Sequence, residues 1–279
     1  MRVVVAGASG LIGSALTRAL RERGDAAVGL PRFGSGPWSV EGADAVVNLA
    51  GASIAGKRWT PAYKKELEQS RVLTTRALVD AIRAAQRKPR VLINASAVGY
   101  YGGRGDEILD ESAGPGADFL ANLARQWEAE AQRAPVRSVQ LRTGIVLSAK
   151  GGALEKMVPP FKAFVGGPVG SGKQWFPWIH IADEVSAILW CIDRELTGPV
   201  NLAAPGIVTM KEFAKALGRA LHRPSWAPVP AAPLRILLGE FASALVEGQR
   251  AVPKKLLDSG FRFGFENVDA ALRDLFPEQ

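Results

Sequence analysis

Short apolar runs alternate with amphipathic stretches through the first two hundred residues of the chain. Residues 3–5 (Val-Val-Val) form a wholly apolar run, typical of a parallel strand that is covered on both faces. The next stretch predicts an amphipathic helix that ends at Gly24, before a second strand over residues 27–30. The apolar positions at helical spacing in that helix are Leu11, Ile12, Ala15, Leu16, Ala19 and Leu20. The chain therefore opens with a strand, a helix and a second strand.

The same alternation continues to about residue 147. Further apolar runs predict strands over residues 45–50, 91–93 and 136–141. Thr60 and Pro61 supply an N-cap and a proline at the first helical position, so a long helix is predicted to begin there. Another helix is predicted over residues 117–133. Strands that alternate with helices predict an α/β fold, a Rossmann-type doubly wound parallel sheet with helices on both faces.

Loops rich in glycine and proline follow Leu147 and indicate a change of domain. We predict a Rossmann domain over residues 1–150, to which the chain returns around residues 175–205. Residues 151–174 and 206–279 are assigned to a smaller C-terminal domain on the substrate side.

Helix caps define much of this second half. Asp183, Thr209 and Asn267 each stand directly before an amphipathic stretch, and Glu212 completes a capping box with Thr209. The predicted elements, in chain order, are a return to the sheet at residues 178–181, a helix after Asp183, a second return to the sheet at 200–202, a helix from 209 through 221, a helix over 232–246, a strand over 261–263 and a helix after Asn267.

Three glycines directly follow the first strand and precede the first helix. In this context Gly7, Gly10 and Gly13 are typical of a dinucleotide-binding loop, in which they permit a tight turn, a close approach to a pyrophosphate and close helix packing. The helix N-terminus then faces the phosphates. The predicted contacts from this loop are Gly7, Ser9, Gly10, Leu11, Ile12 and Gly13.

The end of the second predicted strand distinguishes NAD from NADP. An acidic residue there would bind the ribose 2′-hydroxyl of NAD, whereas an arginine accommodates the 2′-phosphate of NADP. The sequence has Arg32 at this point and no acidic residue until Glu41. Arg32 therefore predicts NADP(H), through a charge-assisted contact.

Composition excludes several other classes of protein. The 279 residues are 47% hydrophobic and carry a formal net charge of +8, but the basic residues are dispersed, which argues against nucleic-acid binding. No apolar run reaches the ~20 residues of a membrane span, and no signal peptide precedes the first strand, so we expect a cytoplasmic protein. The single cysteine, Cys191, is expected in the core.

Residues 167–173 resemble a P-loop, but Gln174 stands where a serine or threonine should bind magnesium. This mismatch argues against nucleotide hydrolysis.

Motifs along the chain resemble those of extended short-chain dehydrogenases/reductases, a superfamily that includes nucleotide-sugar epimerases. The glycine loop is one such motif, and residues 48–51, 142–146 and 178–183 are similar to three others. A closer resemblance is to an atypical branch called "epimerase family protein", which has a small C-terminal domain of unknown function. The segments that resemble this branch are residues 70–71 with 74–76, 96–102, 170–172 with 178–180, and 247–250 with 253–255.

The resemblance implies further cofactor contacts and one shared edge of the sheet. The segment that ends the third strand is placed beside the adenine ribose, and the segment led by Arg142 is placed on the nicotinamide side. The glycine loop, Ser96, Tyr100 and Arg142 should all lie at the carboxyl ends of the strands. The additional predicted cofactor contacts are Leu49, Ala50, Gly51, Glu66, Arg71, Ala95, Arg142, Thr143 and Val146.

One departure from the superfamily bears on mechanism. Its enzymes use a tyrosine with a lysine four residues later to move a proton, and the matching positions here are Phe119 and Leu123. Ser96 matches the serine that orients a substrate hydroxyl or carbonyl. Tyr100 and Tyr101 follow it, so either phenol is a candidate acid or a packing residue.

Other candidate residues have two interpretations each. Arg71 replaces an asparagine of the superfamily and either reaches cofactor phosphate or ribose, or pairs with Glu66 at the surface. His180 is a core histidine or a pocket residue, and His222 is expected to cap a helix C-terminus. No cluster of residues has metal-ligand spacing.

Two functions agree with these features. The first is an NADP(H)-dependent oxidoreductase or epimerase-like enzyme that acts on a carbonyl or hydroxyl group of a small molecule. The second is a catalytically silent NADP(H)-binding sensor or a partner in cell division. The missing tyrosine and lysine favour the second, and Ser96 with the nearby phenols favours the first.

Overall fold

A computed structural model describes residues 1–229, 240 and 247–277, and its centre is a six-stranded sheet. The strands of this sheet are β1 (Arg2–Ala6), β2 (Ala26–Gly29), β3 (Ala45–Asn48), β4 (Val91–Ala97), β6 (Arg137–Thr143) and β10 (Gly198–Leu202). Their order is β10-β6-β4-β3-β1-β2, and every neighbouring pair is parallel. The strand order reverses beside β1, which places a crevice at the carboxyl ends of β1 and β3. The predicted α/β Rossmann-type fold is confirmed.

The remaining described elements connect or flank this sheet. The longer helices are α1 (Leu11–Glu22), α2 (Pro61–Ala84), α3 (Phe119–Gln132), α4 (Gly152–Lys162), α5 (Ile181–Asp193) and α6 (Met210–Ala220). Two shorter helices are α7 (Lys254–Asp258) and α8 (Val268–Leu275). Short strands are β5 (Ile108–Leu109), β7 (Ile145–Leu147), β8 (Trp175–Phe176), β9 (Trp178–His180), β11 (Val208–Thr209) and β12 (Arg250–Ala251).

The sheet is covered on both faces because its strands alternate between two cores. Val3 and Val5 pack with α1 and α5, whereas Val4 and Ala6 pack with α2 and the C-terminal turn of α3. A third core joins α4, α6 and α8 around Trp178. This third core draws on residues of the predicted C-terminal domain, and the domain boundaries themselves stay a prediction.

Several predicted caps are confirmed by their hydrogen bonds. The Thr60 hydroxyl accepts the Tyr63 N–H, and Thr209 forms both halves of a capping box with Glu212. Asn267 caps α8. His222 follows the C-terminus of α6 with a φ of 52°, as expected for a residue that ends a helix.

Three predictions for the second half are wrong. Residues 178–180 form β9, which pairs with β7 outside the main sheet, because an apolar run does not specify its partner strand. The cap of α5 is His180, whose Nδ1 accepts the Ala182 N–H, while Asp183 accepts the N–H groups of Gly264 and Phe265. Residues 261–263 form no strand: their aromatic rings pack edge-to-face into the core beside α5.

Other expectations have simpler outcomes. The return to the sheet at residues 200–202 is confirmed, since β10 pairs with β6. Cys191 is fully buried, as expected. The predicted helix at 232–246 falls on residues that lie outside the described ones, apart from residue 240. No helix among the described residues has the length and apolar character needed to cross a membrane.

Candidate functional site

The glycine loop joins β1 to α1 at the carboxyl edge of the sheet. Gly7 has a φ of 79°, and a Cβ on it would stand 2.7 Å from the carbonyl carbon of Leu49. Gly10 is the N-cap of α1, where no side chain caps the helix. The first N–H groups of α1 therefore keep their capacity to bind an external acceptor, as a pyrophosphate site requires. The tight turn at Gly7 and the uncapped start of α1 therefore fit a loop that binds the pyrophosphate of a dinucleotide.

Gly13 allows the closest approach within the loop. A Cβ at this position would lie 2.1 Å from the Gly7 carbonyl oxygen and 2.9 Å from the Ala8 Cα. Because both are backbone atoms, a methyl group would displace the loop from the helix.

We expect Gly13→Ala to lower the free energy of unfolding by about 1–3 kcal/mol, the usual cost of overpacking. Denaturant titration would measure it. Gly114→Ala is the matched control, because a Cβ at Gly114 meets no atom within 4 Å. An equal loss in both variants would contradict the steric role assigned to Gly13.

A buried polar network, which the sequence pattern did not predict, joins the end of β3 to the middle of β4. The Asn48 amide donates to Thr75 Oγ1 at 2.9 Å and to Asn94 Oδ1 at 2.7 Å, and the Trp127 indole also donates to Thr75. Asn48 Oδ1 accepts the Ala50 N–H and so shapes the loop that abuts Gly7. An asparagine within each of two otherwise apolar strands is the signal that could have revealed it.

Arg71 is buried on α2, against the loop that follows β3. Its guanidinium donates to the carbonyl oxygens of Leu67 and Ala52, at 3.1 and 2.9 Å. The predicted pairing with Glu66 is wrong, because Glu66 points outward and forms an ion pair with Lys57 at 2.9 Å. The reason is helical geometry: a spacing of five residues places the two side chains on different faces.

A second buried arginine, Arg142, lies at the end of β6 and is fully paired. It forms two hydrogen bonds of 2.9 Å with the Glu128 carboxylate. Burial works to lower the pKa of Arg142, but the hydrogen bonds and the charge of Glu128 outweigh it and raise that pKa. Arg142 pairs in register with Ser96 on β4, and the Ser96 hydroxyl donates to Glu128 at 2.7 Å.

Glu128 is a site residue that was not predicted from the sequence, although its position on an apolar helix face could have indicated it. It lies on the buried face of α3 with Leu123, Ala124, Trp127 and Ala131. A carboxylate on an apolar helix face needs a partner, and here it has two. The Arg142 guanidinium is thus engaged inside the protein, so the structure does not present it as a free anion ligand.

The two adjacent tyrosines occupy different environments in the 3₁₀ turn after β4. The fully buried Tyr101 hydroxyl donates to Asn201 Oδ1 at 2.6 Å and accepts from Arg142 at 3.1 Å. Burial raises the pKa of Tyr101 to about 12, so it is a weak proton donor at neutral pH. Tyr100 is half-buried, and its ring stacks on the Arg142 guanidinium at 3.5 Å.

Phe119 and Leu123 occupy α3, at the positions where the superfamily has its tyrosine and lysine. Both pack into an apolar cluster with Trp59, Tyr63 and Leu67. A cavity of about 190 Å³ opens beside them, lined by residues that include Trp59, Gly99, Asp118 and Gln249. A cavity of about 250 Å³ also occurs beside α6 and α8, but it lies away from the glycine loop. The smaller cavity is the candidate substrate site because it adjoins the turn after Ser96.

The remaining predicted cofactor residues line the same edge of the sheet. Leu49, Ile12 and Val146 are partly buried against the core beside α1. Ala95 is half-buried on β4. Arg32 is exposed three residues beyond β2, whose Gly29 lies against Ala8 of the glycine loop. The predicted placement of the glycine loop, Ser96 and Arg142 at one end of the sheet agrees with the strand register.

Two buried titratable groups lie behind this edge. Thr143 donates to the fully buried Glu184, and burial raises the pKa of Glu184 to about 8. His180 is buried with its ring 3.9 Å from that of Phe265, which favours the core interpretation. Among the described residues, no group of three or more potential ligands could hold a metal ion.

Comparisons with known proteins identify the family. Residues 3–203 match the NAD dependent epimerase/dehydratase family, and residues 229–275 match a domain of unknown function (DUF1731). "Epimerase family protein SDR39U1 homolog, chloroplastic" of Arabidopsis thaliana is 41% identical, over 98% of this chain and 86% of that protein. "Epimerase family protein YfhF" of Bacillus subtilis is 38% identical, over 100% of this chain and 99% of that protein.

A solved structure agrees with these sequence matches. The crystal structure of human epimerase family protein SDR39U1 with NADPH superposes with a TM-score of 0.95 and 36% identity, and the match covers 100% of both chains. The family model spans most of the chain, and the relatives match almost all of it. The chain therefore belongs to the NAD-dependent epimerase/dehydratase family.

Proposed function

We propose that the protein binds NADP(H) across the carboxyl edge of its sheet. The observation that carries this proposal is the glycine loop, in which Gly7 and Gly13 leave room only for backbone and α1 has no side-chain cap. Arg32 supplies an exposed guanidinium three residues beyond β2, where it can meet the 2′-phosphate. The NADPH in the structure of the human relative supports the choice of cofactor.

The reaction that we propose is oxidation or reduction of a small carbonyl or hydroxyl compound. When bound, the nicotinamide supplies hydride chemistry. The chain's own part is to hold a substrate oxygen and move a proton, and Tyr100 is the better placed phenol for this. Its hydroxyl has no hydrogen bond to any described residue, whereas the Tyr101 hydroxyl is committed to Asn201. Ser96 donates to Glu128, so it offers lone pairs to a substrate hydroxyl.

A binding protein without turnover is the second candidate function. The observation that favours it is the apolar packing of Phe119 and Leu123, which leaves no titratable pair on α3 at the usual positions. Measuring NADPH oxidation with a panel of small aldehydes and ketones separates the two candidates. Turnover supports the enzyme, and tight NADPH binding with no turnover across the panel supports the silent protein. A small-molecule substrate and a cytoplasmic location remain proposals.

We expect Arg32→Ala to weaken NADPH binding by roughly tenfold or more and to leave NADH binding unchanged, since one charged hydrogen bond contributes about 1.5–3 kcal/mol. Calorimetric titration with both cofactors measures this. Arg18→Ala on the exposed face of α1 is the control for the loss of one surface charge. Equal affinities of the wild-type protein for NADPH and NADH would contradict the assignment of Arg32.

A further inference from the structure

Glu184 is a buried carboxyl group to which the candidate site and its proposed chemistry assign no role. It lies on α5 and is fully buried, and its one hydrogen bond among the described residues joins Oε1 to the Thr143 hydroxyl at 3.0 Å. Its Oε2 is buried as well and has no hydrogen-bond partner in the described part of the chain. Burial raises the pKa of Glu184 to about 8, so the carboxyl group is mostly protonated at neutral pH. A protonated carboxyl group donates a hydrogen bond, whereas an ionised one only accepts.

Among the described residues, no cation pairs with Glu184. On the same helix, Asp183 accepts two backbone N–H groups, and burial raises the pKa of the Cys191 thiol to about 12, so that thiol stays protonated. On β9, His180 turns its Nε2 toward Asp274 at 3.3 Å, and burial lowers the pKa of His180. Neither the thiol nor the imidazole therefore changes its charge in the range where Glu184 ionises.

The other elements around α5 supply no counter-charge. Strands β4, β7 and β10 have no ionisable side chain. On β6, Arg137 donates to backbone carbonyl groups at the far end of α5, and Arg142 is paired with Glu128. The charged residues of α1 are all exposed: Arg18, Arg21 and Glu22. An uncompensated carboxylate in the core is costly, so ionisation of Glu184 must change the hydrogen bonding around it.

Thr143 connects this carboxyl group to the carboxyl edge of the sheet. It is half-buried, it is the last residue of β6, and it pairs in register with Ala97 at the end of β4. The chain after it runs beside the start of α1. There the Val146 carbonyl oxygen and the Leu11 side chain lie 3.8 and 3.0 Å from the point where a Cβ of Gly152 would stand. Thr143 thus ends its strand at the edge that we assign to the cofactor.

The Thr143 hydroxyl has one proton and two acceptors inside the protein. Its Oγ1 lies 3.0 Å from Glu184 Oε1 and 3.4 Å from the Leu141 carbonyl oxygen. When Glu184 is ionised, the hydroxyl donates to the carboxylate, because no other donor stabilises that charge. When Glu184 is protonated, its own O–H donates to Thr143 instead. The long contact with Leu141 holds the Thr143 proton only weakly, so that proton is then available to an external acceptor.

We propose that protonated Glu184 is a positioning residue that frees the Thr143 hydroxyl to donate to an oxygen atom of bound NADP(H). This inference rests on the proposed NADP(H) binding. Ionisation of Glu184 reverses the hydrogen bond and withdraws the Thr143 proton from the cofactor. By proton linkage, the affinity for NADPH then falls as the pH rises through the range in which Glu184 ionises. The fall should be about tenfold, the size expected for the loss of one hydrogen bond.

The test is a pH profile of NADPH binding, measured by calorimetry from about pH 7 to about pH 9.5. The wild-type protein should lose affinity roughly tenfold across this range. Glu184→Gln keeps a donor at every pH, so its affinity should stay at the value that the wild-type protein has at the neutral end. Thr143→Val lacks the hydroxyl, so at the neutral end it should already bind as weakly as the wild-type protein does at the alkaline end.

Glu22→Gln is the matched control, because Glu22 is an exposed carboxyl group on α1, and it should reproduce the wild-type profile. Infrared spectra of the cofactor-free protein supply a measurement that needs no ligand. The wild-type protein should show the C=O stretch of a protonated carboxyl group at neutral pH. This band should disappear at the alkaline end and should be missing in Glu184→Gln.

Failure of this inference is distinguishable from failure of the proposed function. A flat wild-type profile, an equal fall in Glu184→Gln, or wild-type affinity in Thr143→Val overturns the role of Glu184. The absence of the infrared band from the wild-type protein at neutral pH also overturns it, even where a variant fails to fold. A wild-type protein that binds NADPH at no pH contradicts NADP(H) binding itself, whereas tight binding with a flat profile rejects only the inference about Glu184.

Discussion

Truncation of Glu128 to alanine should destabilise the fold by about 3–5 kcal/mol, because it leaves the Arg142 guanidinium buried without its counter-charge. Glu128 is 4% exposed and accepts three hydrogen bonds, two from Arg142 and one from Ser96. Urea unfolding followed by circular dichroism measures the change.

Glu130→Ala is the control for this experiment, since Glu130 lies on the same helix. Its partners Arg76 and Arg133 are about half exposed, so its removal should cost at most about 1 kcal/mol. The double variant Glu128→Met with Arg142→Met should lose less than the sum of the two single variants, because it removes both charges together. A loss for Glu128→Ala no greater than that for Glu130→Ala would show that the buried pair is not what stabilises this junction.

The parts of the fold that the sequence predicts are those encoded within one element. The apolar run at residues 3–5, the glycines after it and the caps at Thr60, Thr209 and Asn267 each act over a few neighbouring residues. Their structural outcome follows from local sterics and hydrogen bonding. Boundaries shift by a few residues where tertiary contacts decide them, as at β4, which extends to Ala97.

The parts that escape prediction depend on pairing between distant elements. Glu128 and Arg142 form their ion pair only because α3 packs beside β6, and a rule based on residue spacing within one element cannot predict that contact. The same holds for β9, whose partner is β7 instead of the main sheet. The two adjacent tyrosines also have different environments in the structure: the Tyr101 hydroxyl is bonded inside the core, and the Tyr100 ring stacks on Arg142. The sequence alone gives no reason to distinguish the two phenols.

This difference between the tyrosines leads to the prediction about catalysis. With a carbonyl substrate found by the NADPH-oxidation panel, we expect Tyr100→Phe to lower kcat by about 10²–10⁴-fold, the usual contribution of a single proton donor. The dissociation constant of NADPH should stay near the wild-type value, because the ring that stacks on Arg142 is retained. Stopped-flow measurement of single-turnover NADPH oxidation separates the chemical step from binding.

Tyr63→Phe is the matched control, because Tyr63 lies on α2 and its hydroxyl donates to the Ser53 backbone carbonyl. Tyr101→Phe provides a sharper comparison. The Tyr101 hydroxyl links Arg142 and Asn201 inside the core, so its loss should reduce stability by about 1–3 kcal/mol while leaving the pH dependence of kcat unchanged. Unchanged single-turnover rates in Tyr100→Phe would exclude Tyr100 as the proton donor. Neither the Tyr101 phenol, which core partners hold, nor Phe119 and Leu123 on α3 would then supply the proton.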